Sequence, residues 1–134
     1  MKWFLMAATI ALSGSAATQT LPNPYQHANG RYSGMYGSDA VVTVSDGVLT
    51  LTRNAGWKPW LRDGMVLARF TPNATPRTGQ PGVYDFPATC LQYGANPEAT
   101  WTWDQCRVIL HHPPGSPETM IAISGGSGSW MRTQ

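Results

Sequence analysis

The segments Ala40-Val41-Val42-Thr43-Val44-Ser45 and Val48-Leu49-Thr50-Leu51-Thr52 flank the dipeptide Asp46-Gly47. Alternating apolar and polar side chains fall on opposite faces of an extended strand, so each segment reads as half-buried. A two-residue Asp-Gly loop favours a type I′ turn, because both central residues need positive φ. That turn sets Ser45 opposite Val48, then Val44 opposite Leu49, Thr43 opposite Thr50 and Val42 opposite Leu51. The apolar face and the turn specify one register. Asp63-Gly64 is read in the same way: Arg62 opposite Met65, Leu61 opposite Val66, and Val66, Ala68 and Phe70 inward, with Pro59 limiting the upstream strand to a short or edge segment.

No window beyond the first residues shows a sustained apolar repeat at helical spacing. Further strands are expected at Arg31 to Tyr36, Tyr84 to Phe86, Thr89 to Tyr93, Thr100 to His112 with a bend or bulge, Thr119 to Ser124 and Ser129 to Arg132. Tight turns between short strands predict an all-β fold, a small antiparallel β-barrel or sandwich of about eight short strands. With 134 residues the chain suits one domain. The expected organisation is a signal peptide at 1–17, an extended, poorly anchored N-terminal arm at 18–29 and a single β domain at 30–134.

The signal peptide is read from Lys2, the apolar run Trp3 to Leu12 and the small residues Ser13-Gly14-Ser15-Ala16-Ala17. Ten apolar residues rise only about 15 Å as a helix, half of a hydrocarbon core, which argues against a membrane anchor. A secreted or periplasmic location follows as an expectation, with no membrane-spanning segment left after cleavage. In that compartment the two cysteines, Cys90 and Cys106, are expected to form a disulfide. As metal thiolates they would need His111 and His112, which as strand neighbours point to opposite faces, so no metal is expected.

Pairing Cys90 with Cys106 directly across a hairpin places Tyr93 opposite Trp103. Trp101 and Trp103 then share a face with Tyr93 and Leu91, while Cys106, Val108 and Leu110 line the other. Either a bulge between Trp103 and Val108 reunites the two sets in the core, or one set stands outside as an aromatic patch.

Only 12% of residues are charged, and the basic ones are spread along the chain, which argues against a nucleic-acid partner. No phosphate loop, dinucleotide fingerprint, zinc helix or calcium loop is present, and no cofactor is expected. A small hydrolase would draw on Asp85, Asp104 and His111, and requires them within reach of one another. No catalytic residue is assigned.

The feature that most departs from an ordinary small domain is its tryptophan and tyrosine content. Trp57, Trp60, Tyr93, Trp101 and Trp103 are the candidate binding residues, since flat rings stack on sugars or fill a partner's pocket. The expected function is an exported binding or interaction module, with a protein, a cell-wall glycan or a small apolar ligand as partner. Bacterial periplasmic inhibitors of wall-degrading enzymes share this size, compartment and β-rich build; Ser33-Gly34-Met35-Tyr36 is a local echo of them without the spacing of the inhibitor loop, so membership is not assigned. A structural assembly subunit, pairing through exposed aromatics and an edge strand, is a further alternative.

Overall fold

A computed structural model describes residues 21–34, 39–92, 102–124 and 128–133. The signal segment at 1–17, and Tyr93 and Trp101 among the candidate residues, lie outside the described residues. The strands are β1 (Gly30–Gly34), β2 (Val41–Ser45), β3 (Val48–Arg53), β4 (Met65–Phe70), β5 (Thr75–Pro76), β6 (Val83–Gln92), β7 (Thr102–His111), β8 (Met120–Ile123) and β9 (Gly128–Arg132), with one short helix, α1 (Pro24–His27). The other eight strands pair antiparallel in chain order, β4 with β6 and β9 with β1 included, and the two-residue β5 pairs antiparallel with β6 alone. The result is a closed eight-stranded up-and-down barrel, in which closure removes the sheet edges that a sandwich would leave.

The β2–β3 hairpin has the register that its Asp-Gly turn dictates: Ser45 faces Val48, Val44 faces Leu49, Thr43 faces Thr50 and Val42 faces Leu51. Asp46 and Gly47 have φ of 47° and 80°, the pair of positive values a type I′ turn needs. The second Asp-Gly behaves differently. No strand precedes it; β4 pairs back onto β3, Leu51 with Met65 and Leu49 with Ala68, across the loop 54–64. Only Gly64 has positive φ, and Met65 N–H donates to the Arg62 carbonyl, so Asp63-Gly64 makes a type II turn inside that loop. A bulge at Leu67 changes the phase of β4, turning Val66 to Thr50 on the outer face while Leu67, Ala68 and Phe70 are buried.

β6 runs unbroken through Pro87, joining two strands expected separately. Both polar groups of one residue in an antiparallel ladder point to the same side. The Pro87 carbonyl accepts from Thr71 N–H, away from β7, so the missing donor falls where β4 has ended and costs no β6–β7 bond. β6 and β7 pair without a bulge from Val83 opposite His111 to Gln92 opposite Thr102. Trp103 therefore faces Leu91, and Cys90 sits opposite Asp104 rather than Cys106. The disulfide joins Cys90 to Cys106 diagonally, two residues apart on one face, with Cα atoms 5.9 Å apart, inside the usual range for a bridge.

The interior is filled. Trp130, Tyr32, Phe86, Leu49, Leu51, Leu110 and Ile121 are fully buried, supplied by six different strands. α1 and its flanks close one end: Tyr25 meets Phe70 edge-on with ring centroids 5.6 Å apart, and Ala28 is completely buried. The described part of the region expected as an extended arm is thus a short anchored helix, begun by the Asn23 side chain accepting from Gln26 N–H.

Candidate functional site

The barrel has two closed ends and a patterned outer wall, and the candidate residues divide among them. At the end opposite α1, the loop 54–64 is organised by Asn54, a buried polar residue. Its amide nitrogen donates to the carbonyls of Lys58 (2.6 Å) and Leu61 (2.8 Å), and its amide oxygen accepts from Lys58 N–H (2.9 Å). Asp63 receives the Asn54 backbone N–H at 2.8 Å. Trp57 and Trp60 are both partly buried and packed against the core. Trp57 meets Trp130 edge-on at 5.6 Å, and the Lys58 ammonium lies 5.4 Å and 5.8 Å from the Trp57 and Trp60 ring centroids. The loop's indoles thus cap the barrel and hold a cation of the chain itself.

At the α1 end, His27 Nε2 and His112 Nδ1 both hydrogen-bond with the buried Thr119 hydroxyl, at 3.2 Å and 3.0 Å, and the two rings are 4.6 Å apart. Arg132 donates to the His27 carbonyl and to the Tyr32 hydroxyl, whose own proton goes to the Ala28 carbonyl. Burial, then the Arg132 guanidinium and His112, lower the pKa of His27 below 6.5. Burial raises the Tyr32 pKa against the pull of Arg132, so the phenol stays protonated and able to donate. Every polar atom of this cluster named here bonds within the chain, as suits an anchor for α1.

The three residues of the hydrolase alternative are not brought together in one site: Asp85 and His111 are diagonal neighbours on the β6–β7 face, but Asp104 is not with them. Asp85 is engaged by Arg77 in a two-pronged pair, 2.5 Å and 3.1 Å, which raises the Arg77 pKa. Asp104 accepts from Thr102 near the far end of β7, seven residues from His111 and so about 23 Å away along the strand. Among the described residues no group of three or more potential metal ligands occurs.

The outer wall differs. β6 pairs with β4 only as far as Cys90, and β7 with β8 only from Val108, so the two strands run on together as a ribbon past their neighbours. The disulfide braces this ribbon from its inner face. Alternation then turns Trp103, Gln105 and Arg107 outward in one stripe. Trp103 is 45% exposed, the one large apolar side chain so exposed among the described residues. Next to this stripe lies an open groove of about 590 Å³, walled by Arg69, Thr89, Gln105 and Arg107, with Thr71 and Thr75 and the Arg77-paired Asp85 at its other side. Its volume falls within the range of small-ligand sites.

Trp103 is thus the one candidate residue seen on an open face. Arg69, Thr89, Gln105 and Arg107 were not among the sequence candidates. They come from three strands, and only the barrel register, Arg69 opposite Thr89 opposite Gln105, brings them into a row. Comparison with known protein families, with curated proteins and with solved structures finds no match. What the fold and face define is a class by geometry: a small disulfide-braced β-barrel with a packed interior and, on its wall, a groove of mixed polar and apolar lining.

Proposed function

We propose that the protein is an exported binding module whose ligand face is the outer wall formed by β4, β6 and β7. The observation that carries this is the outward stripe of Trp103, Gln105 and Arg107 beside a groove, on a ribbon stapled by a disulfide. An indole left in water has a hydrophobic cost that packing elsewhere in this barrel avoids, and a rigid aromatic beside guanidinium groups is the composition of recognition hot spots. The filled interior gives no support to an apolar ligand held inside. The disulfide is consistent with an oxidising compartment, secreted or periplasmic.

Tryptophan emission of the mature chain tests the reading, with soluble peptidoglycan fragments and lysozyme-type enzymes as probes. A shift in the parent protein that disappears in Trp103→Ala supports it. Unchanged emission with every probe, or the same shift in both proteins, contradicts it.

A further inference from the structure

The chemistry of the groove narrows the ligand class, and this step rests on the reading of the outer wall as the binding face. Three cationic side chains approach the groove, but they are not equivalent. Arg77 is neutralised by Asp85, which in turn withdraws the groove's carboxylate from any role as an anion repellent. Arg69 and Arg107 have no carboxylate within ion-pairing distance among the described residues, so the groove carries uncompensated positive charge. They stand on β4 and β7 with β6 between them, two strand spacings across the sheet and two residues along it, so that their backbones are about 12 Å apart and only their long side chains can converge. Between them lie Thr89 and Gln105, and Thr71 and Thr75 share the rest of the lining with Pro87, Ala88 and Cys106. Hydroxyl and amide groups both donate and accept, which fits a ligand rich in hydroxyls. Trp103 continues the β7 stripe beyond Gln105 with an indole that is nearly half exposed.

We propose that the groove binds a carboxylate-bearing oligosaccharide, with the acid group held by Arg69 and Arg107, sugar hydroxyls by Thr89 and Gln105, and a neighbouring sugar ring stacked on Trp103. Guanidinium forks match carboxylates in two-point contact, and indole faces match the C–H face of a pyranose. A nucleic acid is disfavoured because two free arginines neutralise too few phosphates. The acid can come from uronic-acid units or from muramic units of a wall glycan, which share the recognised chemistry.

Calorimetric titration of the disulfide-intact chain separates these cases. The probes are oligogalacturonate, a glycan strand containing muramic acid and stripped of peptide, a neutral cello-oligosaccharide of matched length, and polyglutamate. One or both acidic sugars are expected to bind more tightly than the neutral one, and the one that binds identifies the source. Arg69→Gln and Arg107→Gln are each expected to weaken that binding about tenfold, as for loss of one charge-assisted hydrogen bond, without altering the melting temperature. Polyglutamate binding with no sugar binding overturns the glycan class in favour of an acidic peptide. Equal affinity for neutral and acidic sugars, with arginine variants unchanged but Trp103→Ala impaired, overturns the acid requirement and leaves the binding face standing. Binding of any probe that is insensitive to all three substitutions, or no binding of any probe at millimolar concentration, overturns both.

Discussion

At the residue scale, single side chains decide the two barrel ends. Asn54 makes three side-chain hydrogen bonds to loop backbone in a buried setting. Asn54→Ala leaves the Leu61 carbonyl and the Lys58 N–H without these partners, the Lys58 carbonyl keeping the Leu61 N–H, and is expected to cost roughly 2–3 kcal/mol, read as a lower urea midpoint with unchanged slope. Ala55 has φ of 51° in the following turn, where a Cβ is strained. Ala55→Gly is expected to gain up to about 1 kcal/mol in the same assay; a loss would show that the turn does not hold this backbone. His27 contributes a pH dependence. Its folded pKa lies below the unfolded 6.5, so as pH falls under 6.5 the unfolded chain takes up a proton first and stability declines through the folded pKa; above 6.5 the contribution is fully present. His27→Gln is therefore expected to lose less stability than the parent between pH 7.5 and pH 5.5. An identical decline in both proteins would assign the effect elsewhere.

At the element scale, legibility depended on whether local and tertiary preferences coincided. The β2–β3 hairpin was readable to the residue because its turn and its alternation independently demand the same register. Asp63-Gly64 carries the same dipeptide, yet its upstream neighbours Trp57 to Leu61 are held by Asn54 into a cap, and the strand that pairs with β4 is β3. A dipeptide cannot distinguish a hairpin turn from a turn inside a loop. The disulfide was readable, but its diagonal geometry was not, because bridges tolerate a two-residue offset. Gly47 marks where a turn meets packing: a Cβ there would lie 2.3 Å from the Phe70 carbonyl oxygen and against Tyr25, at φ of 80°. Gly47→Ala is expected to destabilise by more than about 1 kcal/mol and to loosen α1, seen as faster amide exchange near Tyr25.

For the whole molecule, closure buries the core and leaves the outer wall as the face on which recognition is proposed. The interior is occupied and its ends are capped by α1 and by the Trp57–Trp60 loop, and the proposed binding face lies on the wall. The groove was not legible beforehand because its residues are spread from Arg69 to Arg107 and are ordinary polar surface until the sheet closes. The aromatic patch was half-legible: Trp103 stands outside, the open alternative left by the hairpin's two apolar faces. Replacing Cys90 and Cys106 together by Ala removes a bridge spanning 16 residues and is expected to cost about 3 kcal/mol while leaving the barrel folded at 25 °C, since strand pairing continues on both sides of it. Far-ultraviolet circular dichroism of the variant checks this.

The placement of recognition on the wall is tested most directly by amide chemical-shift mapping of the isotope-labelled protein during titration with an acidic glycan. Perturbations centred on Arg69, Thr89, Gln105 and Arg107, together with the Trp103 indole N–H, are the predicted result. Perturbations centred instead on Trp57 and Trp60, on His27 and His112, or on the buried core would contradict it.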